Sequence, residues 1–243
     1  MIVLIITAVR VKSMDSHRIS GRILAENIAG PGMLRLVEQS MQAWARKTSV
    51  TEIAVKERKH PQAALTFDDG PDIRYTPLLL DGLKERNVRV SFFLLGEKVE
   101  QYPELVERMQ KEGHLVGNHT YHHVQLNKLN ETKAREEILK TNNLIYETTG
   151  VYPLYLRPPF GAWKKNLELC VEMLPVFWTI DTLDWKVQNT EKIVRTVQEQ
   201  IEDGAIILMH DEYDTSVEAA LQVVDELKNQ EYELVTVDQL ILP

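Results

Sequence analysis

The sequence predicts an α/β fold: an irregular (β/α) barrel of about seven parallel strands with helices on its outside. Three observations predict it. From about residue 61 onward, short apolar segments alternate with segments of helical period, the rhythm of a parallel sheet covered by helices. The 183 residues from 61 to 243 fall short of the roughly 250 of a regular eight-unit barrel, so an incomplete one is expected. The unusual polar residues, finally, gather where strands end and loops begin.

The alternation justifies each element in turn. AALTF is a strand, followed by a helix near 76–86; VRVSFFLLG is a second, followed by a helix whose Val99, Tyr102, Val106 and Met109 share a face. HLVGNH precedes a helix at about 131–147, and YLRPPFG contains the fourth strand. LPVFWTID, the fifth, leads into a helix at about 190–202. AIILMHD leads into a helix opened by Thr215, with Glu218 three residues on as in a capping box, and YELVTVDQLI closes the domain.

Residues 1–60 read as an N-terminal extension, and 61–243 as the main domain. Within the extension, residues 33–46 place Leu34, Val37, Met41 and Trp44 on one helical face, a stripe suited to core packing. MIVLIITAV is apolar but lacks a preceding basic region and a small-residue cleavage site, and nine residues cannot span a bilayer. Two readings stay open for it: a strand or tail, or the remnant of a longer export signal or membrane anchor.

Composition narrows the function. With 44% hydrophobic and 26% charged residues, the chain can build one sizeable core. A net charge of −8 disfavours a nucleic-acid binder working through a basic surface. The single cysteine, Cys170, excludes an internal disulfide framework and a cysteine-built zinc site.

The polar residues share an address. Asp68 and Asp69 follow the first strand, His119 and His123 the third, Arg157 marks the fourth, Asp181 and Asp184 the fifth, and His210 the sixth. In a parallel barrel the C-terminal strand ends form one rim, where active sites are built. Each piece alone has a plain explanation. Asp-Asp-Gly-Pro is a good turn, a histidine pair is often just hydrogen-bonded, and His210 could be a satisfied core residue. Two adjacent carboxylates repel unless exposed or joined by a cation. The i, i+4 spacing of His119 and His123 would set both on one helical face, and two imidazoles with one carboxylate suit Zn²⁺ or another divalent first-row metal. His122, at i+3 from His119, competes with His123 as ligand.

Five ordered motifs carry a family resemblance: TFDDG at 66–70, HTYHH at 119–123, RPPFG at 157–161, DTLDW at 181–185 and LMH at 208–210. The chain resembles the polysaccharide deacetylases of carbohydrate esterase family 4, the nodulation-protein-B homology domain, over about residues 61–243. The resemblance implies that Asp68 is the general base, oriented by Arg157. It also implies that Asp69, His119 and His123 bind the metal, most often zinc but sometimes cobalt or nickel. His210 is then the general acid held by Asp184, the backbone N–H of Phe160 serves the oxyanion, and Trp185 and Leu208 line a pocket for the acetyl methyl. Phe160 stands where many relatives have tyrosine, which matters little for a backbone contact. The glycosylation patterns at Asn118 and Asn130 are read as coincidence, since a glycan at Asn118 would crowd the metal.

The expected substrate is an N-acetylated polysaccharide or oligosaccharide, with N-acetylglucosamine units of peptidoglycan preferred and a chitin-like oligosaccharide the alternative polymer. That class of substrate implies an extracytoplasmic location. Rivals are an O-acetyl xylan esterase, a small-molecule amidase, or a carbohydrate-binding protein that has lost its chemistry.

Overall fold

A computed structural model describes residues 59–163 and 173–241. The expected helix at 33–46, the apolar MIVLIITAV segment and Cys170 lie outside the described residues.

All strands among the described residues belong to one parallel sheet. β1 (Gln62–Asp68) lies in its middle, followed outward on one side by β2 (Ser91–Leu94), β3 (Leu115–Asn118), β4 (Tyr155–Leu156) and β5 (Leu174–Pro175). On the other side stand β7 (Ala205–His210) and then β6 (Ile180–Asp181). The short β8 (Glu233–Leu234) pairs with β1 at Gln62 and Ala63, below the Thr66–Asp68 stretch that pairs with β2. The expected strand LPVFWTID is therefore two strands, and they lie at opposite ends of the sheet.

That split forces curvature. Val176 N–H still bonds the Leu156 carbonyl at 2.8 Å, and Thr179 N–H already bonds Ile206 O at 2.9 Å. Three peptide steps reach at most about 11 Å, whereas seven flat strands would set their outer members roughly 29 Å apart. The sheet must curl until its two ends nearly meet, and the product is the incomplete barrel expected from the chain's length.

β1 is buried along almost its whole length, as a strand covered on both faces must be. Its odd positions, Ala63, Leu65 and Phe67, join the outer core under the helices, where Phe67 and Phe92 stack with centroids 5.4 Å apart. Ala64 faces the barrel interior with Phe93, Tyr155 and Val176. The period of two puts Thr66 and Asp68 on that same inner side.

The helices follow the expected order: α1 (Tyr75–Glu85), α2 (Gly96–Gln101), α3 (Pro103–Lys111), α4 (Glu131–Thr149), α5 (Asp184–Val187), α6 (Thr190–Gln200), α7 (Asp214–Asn229) and α8 (Val237–Ile241). The expected single helix through Val99 and Met109 is broken in two. Tyr102 leaves helical geometry (φ −132°, ψ 56°) before Pro103, which cannot donate into a continuing helix and instead opens α3. Asn130 and Asn189 cap α4 and α6, each accepting from the backbone N–H three residues on. Asn118, the other asparagine of a glycosylation pattern, is fully buried and donates to Ile138 O and Asn142 Oδ1.

The Thr215 capping box does not form. α7 starts at Asp214 with Tyr213 as its N-cap, and the Glu218 carboxylate accepts instead from Thr190 Oγ1 at 3.0 Å. A contact from the neighbouring helix outweighs the local pattern.

His114 ties β3 to β2: its Nδ1 accepts the Val90 N–H at 3.1 Å, and its ring packs edge-on against Phe92. Burial pushes this imidazole down to about 4. The unfolded chain therefore binds a proton that the folded one refuses, so His114 removes stability as pH falls from about 6.5 to about 4, by up to about 3 kcal/mol. His114→Asn keeps an acceptor for Val90 and takes up no proton. Urea denaturation at pH 7, 5.5 and 4 is expected to show a steeper acid loss in the parent than in this variant; parallel curves would contradict the assignment.

Candidate functional site

Sheet register builds the site. Asp68 lies beside His210 across β1–β7 and beside Phe93 across β1–β2. Asn118 lies beside Leu156, so the next residues, His119 and Arg157, leave the sheet at one level. Arg157 N–H bonds Asn118 O at 2.9 Å, and the Arg157 carbonyl accepts from His119 Nδ1 at 2.6 Å. Residues far apart in the chain become neighbours because parallel strands end together.

Asp69, His119 and His123 each offer one ligand atom, and these atoms lie within 4.8 Å of one another. Asp69 Oδ1 sits 3.4 Å from both His119 Nε2 and His123 Nε2. It is buried and has no hydrogen-bond partner. Because His119 donates through Nδ1, the neutral ring turns a bare Nε2 lone pair toward that oxygen. Burial, reinforced by the charge of His123, overrides the pull of Asp69 and of the bond to the Arg157 carbonyl, pushes this imidazole down to about 3 and keeps it neutral. Two acceptors facing each other without a proton repel. The donor set of two imidazoles and a carboxylate, joined to this orphaned oxygen, fits a divalent cation.

The histidine pair does not converge through a helix. Residues 119–123 form a loop in which Thr120 (φ 67°) and His123 (φ 54°) adopt left-handed backbone, and this replaces the expected i, i+4 helical face. Asp69 (φ 69°), Phe160 (φ 60°) and Leu183 (φ 51°) are left-handed too. Such backbone is costly, above all for β-branched Thr120, and concentrates where surrounding structure holds a functional geometry. His122 turns away, with its Nδ1 2.7 Å from Glu137 Oε1, so His123 and not His122 joins the cluster.

Two further pairs flank the cluster. On one side Arg157, fully buried, donates through Nη1 to Asp68 Oδ1 at 2.8 Å and to Thr66 Oγ1 at 2.7 Å. Its guanidinium lies 4.2 Å from the Phe93 ring centroid and 5.8 Å from that of Trp178. Burial pushes the Asp68 carboxyl up, opposed by Arg157 and His210. On the other side, Asp184 Oδ1 accepts from His210 Nδ1 at 2.8 Å and Oδ2 from the His210 backbone N–H at 2.8 Å. Burial alone would lower the His210 imidazole, but the bond to Asp184 and the charges of Asp184, Asp68 and Asp69 push it up to about 9. Burial would raise Asp184, yet its bonds to His210 hold it below the usual carboxylate range. His210 Nε2 then points to Asp69 Oδ2, 3.8 Å away.

The remaining expected residues are nearby in different ways. Phe160 is 62% exposed, and its ring centroid lies 4.5 Å from that of His123. Leu208 is buried on β7 two residues before His210, on the same strand face, and Trp185 follows Asp184 with half its surface exposed. Asp181 stands apart from the cluster's contacts and accepts the Leu183 N–H at 3.0 Å.

Thr66, Phe93, Trp178 and Asp211 escaped the sequence reading. Thr66 carried a signal as the first residue of TFDDG, while Phe93 and Trp178 read only as strand aromatics. Asp211 is buried beneath the Asp69–Gly70 turn and accepts from Thr76 Oγ1. A Cβ on residue 70 would come within 2.5 Å of Asp211 Oδ1, which explains Gly70 by close approach.

Fold and site together define the class: an incomplete (β/α) barrel with a carboxylate–imidazole cluster at its C-terminal rim. More particularly, the chain belongs to the polysaccharide deacetylase family, whose model matches residues 55–176. It is 41% identical over 185 residues to the peptidoglycan-N-acetylglucosamine deacetylase PgdA of Listeria monocytogenes, a match covering 76% of this chain and 40% of that protein. A peptidoglycan-N-acetylglucosamine deacetylase of Bacillus cereus is 39% identical over 186 residues, 74% of this chain and 68% of the relative. The structure of the peptidoglycan deacetylase PdaC from Bacillus subtilis superposes with a TM-score of 0.73 at 41% identity, covering 75% of this chain and 91% of that one. The chain thus spans about two fifths of the length of the Listeria relative.

Replacing Asp69, His119 or His123 singly by alanine is expected to abolish stoichiometric divalent-metal binding, measured by elemental analysis after dialysis. His122→Ala is expected to keep the metal. Retention of a full equivalent by an Asp69→Ala or His119→Ala protein would refute the ligand set.

Proposed function

We propose that the chain is a metal-dependent deacetylase that removes N-acetyl groups from N-acetylglucosamine units of a polysaccharide, the peptidoglycan glycan strand above all, and releases acetate. One observation carries the reading: the Asp69–His119–His123 cluster lies between a buried carboxylate paired with Arg157 and an imidazole held by Asp184. The Listeria and Bacillus relatives are peptidoglycan-N-acetylglucosamine deacetylases, which supports the substrate class, and that substrate implies an extracytoplasmic site of action. Among the described residues no helix is long and apolar enough to cross a membrane.

Asp69, His119 and His123 would hold the cation, zinc on this donor set with cobalt or nickel also suited, and it would supply Lewis acidity toward the acetyl carbonyl and the attacking water. The protein's own groups do the rest. Asp68 takes a proton from water as the new C–O bond forms. Its Oδ1 is fixed by Arg157, which leaves Oδ2 turned toward the cluster, 3.7 Å from His119 Nε2. Burial strengthens it as a base by raising its carboxyl.

His210 acts at the other end of the reaction. Asp184 occupies Nδ1, so the proton available to substrate is on Nε2, and it passes to the amine nitrogen as the C–N bond breaks. Acetic acid and a free amine are the products; the proton that Asp68 took returns to His210 through solvent, and the acid ionises to acetate. The Phe160 backbone N–H serves the oxyanion, and Leu208 and Trp185 wall the space for the acetyl methyl.

Asp68→Asn is expected to keep its metal and lose turnover, and His210→Ala to lower kcat by roughly 10²–10⁴-fold, the usual scale for general acid–base groups. Parental turnover in either variant would refute the roles. Acetate release should be seen from N-acetylated chitooligosaccharide or peptidoglycan glycan and not from acetyl-xylan. Release from acetyl-xylan alone would reassign the substrate, and release from neither would favour a non-catalytic carbohydrate binder.

A further inference from the structure

Both imidazoles of the proposed metal site hang on one loop with two left-handed kinks, and such a loop keeps its shape only if its backbone groups are held. The start of α2 holds its carbonyls: Gly96 N–H bonds Thr120 O at 2.9 Å, and Glu97 N–H bonds Tyr121 O at 3.3 Å. A Cβ on residue 96 would come within 2.4 Å of Thr141 Oγ1 and 2.5 Å of the Tyr121 ring, so this approach needs glycine.

Asn118 Oδ1 holds the Thr120 N–H at 2.7 Å, and one side chain holds the next two amides. Glu137, on α4, accepts the Tyr121 N–H at 3.1 Å and the His122 N–H at 2.9 Å through Oε2, while Oε1 lies 2.7 Å from His122 Nδ1. One oxygen thus accepts from consecutive backbone groups of the short link between His119 and His123. The Glu137 side chain is only 16% exposed. Its neighbours keep the link in place: Lys140 Nζ lies 3.3 Å from the Tyr121 ring centroid, and Tyr121 Oη donates to Glu100.

We propose that Glu137 is a positioning residue of the metal site, a brace that sets the separation and aim of His119 and His123 by bonding the Tyr121 and His122 amides between them. The inference rests on the reading of Asp69, His119 and His123 as a cation site. What matters in it is reach and acceptor geometry, not charge. Glu137→Gln keeps the reach and an oxygen for both amides; Glu137→Asp keeps the charge but is one methylene too short; Glu137→Ala loses both.

The test is Zn²⁺ affinity of the metal-free full chain, measured by competition with a chromogenic chelator without substrate, beside the thermal midpoint of each metal-free protein. Glu137→Ala and Glu137→Asp are expected to bind zinc about 10–100-fold more weakly, the usual effect of losing a group that orients ligands. Glu137→Gln is expected to recover most of that loss, and the metal-free midpoints should not follow this order. Parental affinity in Ala and Asp variants, or an Asp variant that binds like the parent while Gln binds like Ala, would overturn the proposal. Should the Ala variant fail to fold, the Asp–Gln order decides. A parent protein that binds no zinc would overturn the cation site itself, and the brace with it.

Discussion

The site turns on a repulsion. Asp69 Oδ1 is buried without a partner, and His119, committed through Nδ1 to the Arg157 carbonyl, turns a lone pair toward it from 3.4 Å. A shared cation would turn this unfavourable contact into a bond, and the same charge would make neighbouring Asp68 and Asp69 compatible at the end of one buried strand. Arg157 pairs with Asp68 from the opposite side, so a cation at Asp69 would give each carboxylate its own positive partner.

The rest of the fold serves to bring these groups together. Strand register sets the level at which Asp68, His119, Arg157 and His210 leave the sheet, and the curl imposed by the 176–179 crossing gathers them around one centre. Loops then do what regular strands cannot. Asp69, Thr120 and His123 adopt left-handed backbone, which re-aims side chains that a continued strand or helix would have sent elsewhere. Bonds from Gly96, Glu97 and Glu137 offset the strain of the histidine loop. The asymmetry between Asp68–Arg157 and His210–Asp184 follows from burial and partner alone: one pair presents an acceptor to the cleft and the other a donor.

Much of this was legible in the sequence because periodicity reports burial directly. Leu65 and Phe67 alternate with Thr66 and Asp68, and that alternation already separates a helix-covered face from an inward one. The address of the polar residues at strand ends was legible for the same reason. Local pattern failed where tertiary contacts decide. HTYHH has helical spacing but folds as a kinked loop, because neighbouring elements bond its amides and carbonyls. Thr215 has the spacing of a capping box, yet Glu218 is drawn to Thr190. LPVFWTID reads as one strand, and nothing in its residues reveals that the sheet closes across its middle. Glu137 lies 14 residues from His123 on a helix of ordinary composition, so only the fold discloses its bonds to the loop.

X-ray absorption at the zinc edge of the full chain loaded with one equivalent of Zn²⁺ decides whether this cluster holds the cation. The expected spectrum shows a nitrogen and oxygen shell at about 2.0–2.1 Å that contains two imidazoles and no sulfur. A sulfur shell, or a shell of oxygen alone without the outer scattering of imidazole rings, would contradict it.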